Sequence, residues 1–151
     1  MTVRTRDRGA DRYLRAAREL AKGPAVDVGV IGQHAAEAHG EGITVAMVAE
    51  WAELGIGQPM RSWLRGWIEA SGPEIEKRLA AETKAVLAGE RTRAQALARV
   101  GVWAVGEIQK RIAAGIDPPN AESTIDKKGS STPLIDTGQV RSSITSRVVG
   151  G

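Results

Sequence analysis

The sequence predicts an α+β fold: a small, mostly antiparallel sheet packed against a long helix, with an N-terminal helix and a C-terminal strand. Three observations lead there. Residues 26–31 place Val26, Val28 and Val30 on one side and Asp27, Gly29 and Ile31 on the other, the period of a strand with one buried face. Residues 92–114 repeat apolar side chains at helical spacing without a Pro. The tail at 145–149 turns β-branched where most chains fray, so something must pack against it.

Taken in order, residues 9–22 read as a helix whose stripe is Tyr13, Leu14, Ala17, Leu20 and Ala21, stopped by Gly23 and Pro24. Strand 26–31 follows. Residues 33–42 are polar and end in Gly-Glu-Gly, which suits an exposed loop or hairpin tip. Alternation resumes at 43–49, apolar on both faces, and predicts a second strand covered on both sides. Gly55, Gly57 and Pro59 break the chain before a helix at 60–70 with the bulky face Trp63, Leu64, Trp67 and Ile68. Ser71-Gly-Pro-Glu74 has the form of a fresh helix start, running to about residue 88 along Ile75, Leu79, Val86 and Leu87. Thr92 then caps the long helix, with Gln95 at the capping-box spacing and Leu97, Val100, Ala104, Ile108 and Ile112 as its stripe. At about 1.5 Å per residue this helix crosses roughly 33 Å. Gly101 and Gly106 inside it each cost about 1 kcal/mol relative to Ala, which implies a close neighbour. Asn120 caps one short turn, 127–133 is a loop, and Asp136 and Thr137 can cap a turn that sets Val140 and Ile144 on one face before the last strand.

The 151 residues suit a single α+β domain over 9–151, preceded by a flexible basic arm over 1–8. The absence of Cys removes disulfides, thiolate catalysis and Cys-type zinc sites. No apolar run approaches the roughly 18–20 residues of a membrane span, so a soluble chain without a membrane partner is expected. The net charge of +3 owes much to Arg4, Arg6 and Arg8. Those arginines could face passing DNA, but a nucleic-acid reader would carry a denser basic stripe with interleaved aromatics.

Chemistry-bearing constellations are sparse. His34 and His39 lie near Glu37 and Glu41, yet their spacing fits no helical metal motif. Neither a dinucleotide-binding glycine frame nor a phosphate loop is present, and the hydroxyls at 130–132 have no His nearby in sequence. Glu50 and Glu53 are three apart; a helix cap or an interface ion pair explains them better than acid–base work. The expectation is therefore a non-enzyme with no cofactor, no metal and no small-molecule substrate. Residues 60–67, MRSWLRGW, stand out because Trp, Arg and Met are enriched in protein–protein interface cores. Trp51, Met60, Arg61, Trp63, Leu64 and Trp67 are the candidate interface, against the simpler possibility that the tryptophans fill a core without Phe.

Several strings resemble one family. PLIDTGQVRSSITSRV at 133–148 is similar to the "P-L-(I/V)-D-T-G-(Q/R)-L-R-(N/S)-S-I" ending of tailed-bacteriophage neck and tail-completion proteins. VGEIQKRI at 105–112, IDPPN at 116–120 and STIDKKGS at 123–130 resemble that family's "G-x-I-Q-x-R-I … I-x-P-P … S-T-I-x-x-K-G-S". Upstream, VAEWAELG at 48–55 is similar to "I-A-x-x-x-E-F-G", with Leu54 where Phe is usual. PMRSWLR at 59–65 is similar to "P-x-R-S/P-F-L-R", with Trp63 in the Phe place. The resemblance covers about residues 25–149. It implies a virion structural protein of the neck or upper tail, in tail completion or tail termination, joining the head connector to the tail tube. The implied partners are copies of itself, often in a hexameric ring, together with other phage neck and tail proteins and the passing genomic DNA. The implied location is the virion, after assembly in the host cytoplasm.

Two other readings of the residues differ in class. A small basic nucleic-acid-binding domain would use the arginine arm and the helix at 9–22, and its affinity would fall steeply with salt. A small α+β regulator would need a dimeric recognition helix, and none stands out.

Overall fold

The computed structural model describes residues 23–118 and 138–150. The expected helix at 9–22, the arginine arm, the turn at Asn120, the loop at 127–133 and the Asp136–Thr137 cap lie outside them. Within them the fold is α+β, as the sequence predicts: β1 (Ala25–Val30), a 3-10 turn (Gly32–Ala36), the hairpin β2 (Ala38–Gly40) and β3 (Ile43–Thr44), and α1 (Val45–Leu54). Then come α2 (Arg65–Leu87), α3 (Arg93–Ala114), the four-residue α4 (Gln139–Ser142) and β4 (Ile144–Val149).

β1 and β4, the first and last described elements, pair antiparallel from Ala25↔Val149 to Val30↔Ile144. One face carries Val26, Val28 and Val30 opposite Val148, Ser146 and Ile144, and lies on α3. The other carries the cross-strand pair Asp27 and Arg147, joined at 3.3 Å. This is the one-face-covered antiparallel pattern that the alternation implies. α2 packs along α3, so α3 is the central element between helix and sheet. Val45, Ile108 and Ile112 form the deepest core, with Val140 and Ile144 closing it from the C-terminal side. Val140 and Ile144 are both buried, as their spacing requires. The C-terminal strand is thus integral to the core.

α3 begins where expected. Thr92 Oγ1 accepts from the Gln95 amide while the Gln95 side chain accepts from the Thr92 amide, a complete capping box. Its two glycines divide. A Cβ on Gly101 would sit 2.7–2.8 Å from Ser146 and Val26, so β1 and β4 approach the helix through that gap. A Cβ on Gly106 would meet nothing within 4 Å, and close packing does not account for that glycine.

Two expectations are corrected. Residues 43–49 are not a covered strand: only Ile43 and Thr44 are extended, and α1 begins at Val45. Thr44 caps it, accepting from the Met47 amide at 3.3 Å. Val45, Ala49 and Ala52, at i, i+4 and i+7, are the buried positions, a helical period masked by the β-branched Val45 and Val48. Residues 60–70 and 71–88 are not two helices either, because α2 runs unbroken through Ser71 and Pro73. Pro73 removes one backbone donor, but the carbonyl it would have served belongs to the exposed Glu69 and opens to solvent. Trp67 and Ile75 pack against the core on either side of it, and this tertiary anchoring holds the helix through the local stop signal.

Candidate assembly surface

Residues 55–64 form a loop that locks α1, α2 and the end of α3 together. α1 ends at Gly55 in the left-handed conformation, φ 72°. A side chain there would lie 3.0–3.1 Å from Met60, so glycine is required both by the backbone and by the loop folding back over it. The Arg61 amide donates to the Ala52 carbonyl at 2.7 Å. The buried Trp63 indole donates to the Ala49 carbonyl at 2.9 Å.

Glu53 fixes the start of α2. Its carboxylate accepts from Ser62 Oγ at 2.7 Å and from the amides of Leu64 at 2.9 Å and Arg65 at 3.1 Å. A carboxylate on otherwise unpaired N-terminal amides also opposes the helix dipole. Glu53 is therefore the helix cap that the sequence suggests, supplied from a different helix.

Arg61 is 5% exposed. Its Nε donates to the Pro118 carbonyl at 2.8 Å and its Nη1 to Gln58 Oε1 at 3.2 Å. Burial disfavours the charged form and pushes its guanidinium below the usual arginine value. From α3, Arg111 Nη2 donates to the Ser62 carbonyl at 3.4 Å, and it fits because Gly66 has no side chain to block it.

The six candidate interface residues consequently separate. Trp63 and Trp67 are buried inside the chain, and Trp67 packs on Trp103 with ring centroids 5.7 Å apart. Arg61 is a buried cross-link. Leu64 is half-buried against the core, and Trp51 is half-buried. Met60 alone of the six is widely exposed, at 53%. Leu54 and Ile56, which the sequence reading passed over, join it at 56% and 49%. The three surround the Gly55 turn and form a compact apolar knob on a rigid base. The i, i+2 spacing across a left-handed glycine was the available signal, since a turn of that kind throws both neighbours outward.

The histidines have protein partners. His34 Nδ1 lies 2.6 Å from Glu37 Oε1, and His39 Nδ1 lies 3.0 Å from Gln139 Oε1. Ser143 Oγ reaches the other Glu37 oxygen at 3.4 Å. The order is serine–carboxylate–histidine, whereas activating a hydroxyl requires the imidazole between the other two. Among the described residues no three His, Cys, Asp or Glu side chains converge as metal ligands, and no helix is long and apolar enough to cross a membrane. No family model, curated protein or solved structure matches the chain.

Proposed function

We propose that this chain is a structural subunit of a tailed-bacteriophage neck or upper tail. It is a tail-completion or tail-terminator protein that works by assembling into a ring, hexameric in the simplest case, between head connector and tail tube. Its partners are its own copies, neighbouring neck and tail proteins and the DNA that passes through. It resides in the virion and is assembled in the host cytoplasm.

The observation that carries this reading is the knob of Leu54, Ile56 and Met60. Singly exposed apolar side chains are ordinary, but three around one turn, braced by the buried Arg61 and Trp63, make a preformed contact surface. Leu54 occupies the position where the resembled pattern carries Phe, an apolar preference at a site that folding alone leaves in water. The β1–β4 sheet adds a second means of contact. Among the described residues each of its strands pairs on one side only, and an open edge can take a strand from a neighbour. Head-to-tail contacts between unlike surfaces close into rings.

The test is light scattering on the purified chain and on Leu54→Asp/Ile56→Asp, with negative-stain microscopy of both. The expected result is a ring for the wild type and a smaller species for the variant, with unchanged circular dichroism. A wild type that stays a single chain at every accessible concentration refutes the assembly reading. Trp63→Ala would be a poor probe, because Trp63 lies in the core and its loss would perturb folding before assembly.

A further inference from the structure

α2 and α3 do not close on each other along their whole length. Near the turn that joins them, Leu79 and Val86 of α2 face Ala96, Leu97 and Val100 of α3 across a cavity of about 310 Å³. Leu79 is 40% exposed. The space is roughly ten times the 30 Å³ or so that a water occupies in the liquid, and its walls are largely apolar, so water is a poor filling for it. Gly23 and Pro24 lie at its margin.

We propose that the groove is the seat of the chain's own residues 9–22, which lay the stripe of Tyr13, Leu14, Ala17, Leu20 and Ala21 between α2 and α3. Three observations converge on that occupant. The segment ends at Gly23, which itself lines the groove, so its apolar side chains are delivered there without a linker. A tether this short gives an effective concentration in the millimolar range or above, and docking then costs little association entropy. The dimensions also agree. Leu79 to Val86 covers about 10 Å of α2, and the two turns from Leu14 to Ala21 cover about the same. Ala17 and Ala21 let the backbone approach closely, while Leu14 and Leu20 supply the bulk. Docked this way, the segment completes a three-helix layer over α3 and gives Arg4, Arg6 and Arg8 a fixed point of departure. The inference stands apart from the ring, and either can fail alone.

The chain contains no Cys, so an introduced pair is unique. The full-length chain would carry Thr83→Cys on the groove wall together with either Ala17→Cys, at the centre of the stripe, or Arg15→Cys, on the opposite side of the same helical period. Disulfide formation under mild oxidation would be followed by non-reducing electrophoresis. The 17/83 pair is expected to close within one chain faster than the 15/83 pair by roughly ten-fold or more, the advantage of a fixed over a random tether. Equal rates for the two pairs overturn the proposal. Disulfide dimers as the main 17/83 product also overturn it, and assign the groove to a second copy. As an independent arm, Leu14→Asp in the full chain should raise the fluorescence of a bound anilinonaphthalene dye as the groove opens. Wild-type chain that already binds the dye fully at this groove overturns the proposal as well.

Discussion

Gly101 and Gly106 sit five residues apart in α3, and replacing each by Ala should move stability in opposite directions. In a helix interior, Gly→Ala gains about 1 kcal/mol from backbone entropy and propensity. Nothing lies within 4 Å of a Cβ at Gly106, so that gain should be realised nearly in full. At Gly101 the new methyl would stand 2.7 Å from Ser146 Oγ, 2.8 Å from Ser146 Cβ and 2.8 Å from Val26 Cγ2. Rotation can move the hydroxyl, but the Ser146 Cβ moves only with the backbone of β4. Overpacking of this kind costs about 1–3 kcal/mol, which cancels or exceeds the propensity gain. The two variants should therefore differ by about 1–3 kcal/mol, with Gly106→Ala more stable than wild type and Gly101→Ala equal to it or less stable. At about 2–4 °C per kcal/mol for a chain of this size, the Tm values should separate by several degrees in thermal melts followed at 222 nm. Adding Val26→Ala to Gly101→Ala removes one of the three contacts and should recover part of the loss beyond additivity. If Gly101→Ala stabilises as much as Gly106→Ala, the sheet does not approach α3 through that glycine.

Other expected outcomes follow from the junction and the ion pairs. Glu53→Ala strips the cap from α2 and should cost about 1–2 kcal/mol in urea unfolding, whereas Glu53→Gln, which keeps one acceptor, should cost less. Arg61→Lys loses the Nε donor to Pro118 and should cost about 1.5–3 kcal/mol, the range for hydrogen bonds to a charged group. The Glu82 carboxyl lies below the usual carboxylate range, first because Arg91 hydrogen-bonds it at 2.5 Å and then because Arg99 does so at 3.0 Å, with burial opposing both. A lowered folded pKa contributes stability that is present above the unfolded value, about 4.3, and is lost as pH falls through the folded one. The stability gap between wild type and Glu82→Gln should thus be full above about pH 5 and narrow on acidification; a gap independent of pH would remove the ion pair from the account.

The elements legible in the sequence are those in which local and tertiary signals agree. Thr92 and Gln95 announce α3, the Val26–Val28–Val30 alternation announces β1, and Val140 with Ile144 announces a tail that belongs to the core. The misread elements are those in which packing overrides a local cue. Val45 and Val48 favour a strand by composition, yet Ala49 and Ala52 are small enough for a helix to settle against Ile108 and Ile112, and burial decides. Ser71-Gly-Pro-Glu74 is a sound start signal that goes unused because Trp67 and Ile75 anchor both sides of it.

The candidate interface was legible as a region but not as a set of residues, and the reason is physical. Trp, Arg and Met are chosen for the centre of an interface because they bring large area and few unsatisfied groups once dry, and a small core without Phe selects Trp on the same ground. Composition therefore cannot separate the two. The hydrogen bonds can. Trp63 Nε1 and Arg61 Nε both donate to backbone carbonyls of their own chain, so their polar ends are already committed and a partner would gain little from them. Leu54, Ile56 and Met60 have no such internal obligation, and the contacts of Trp63 and Arg61 are what hold them outward. Within the loop the division of labour is then plain: the residues that look most like interface set the position of the residues that can act as one. Variants of the first kind should lower stability and assembly together, and variants of the second kind should lower assembly alone.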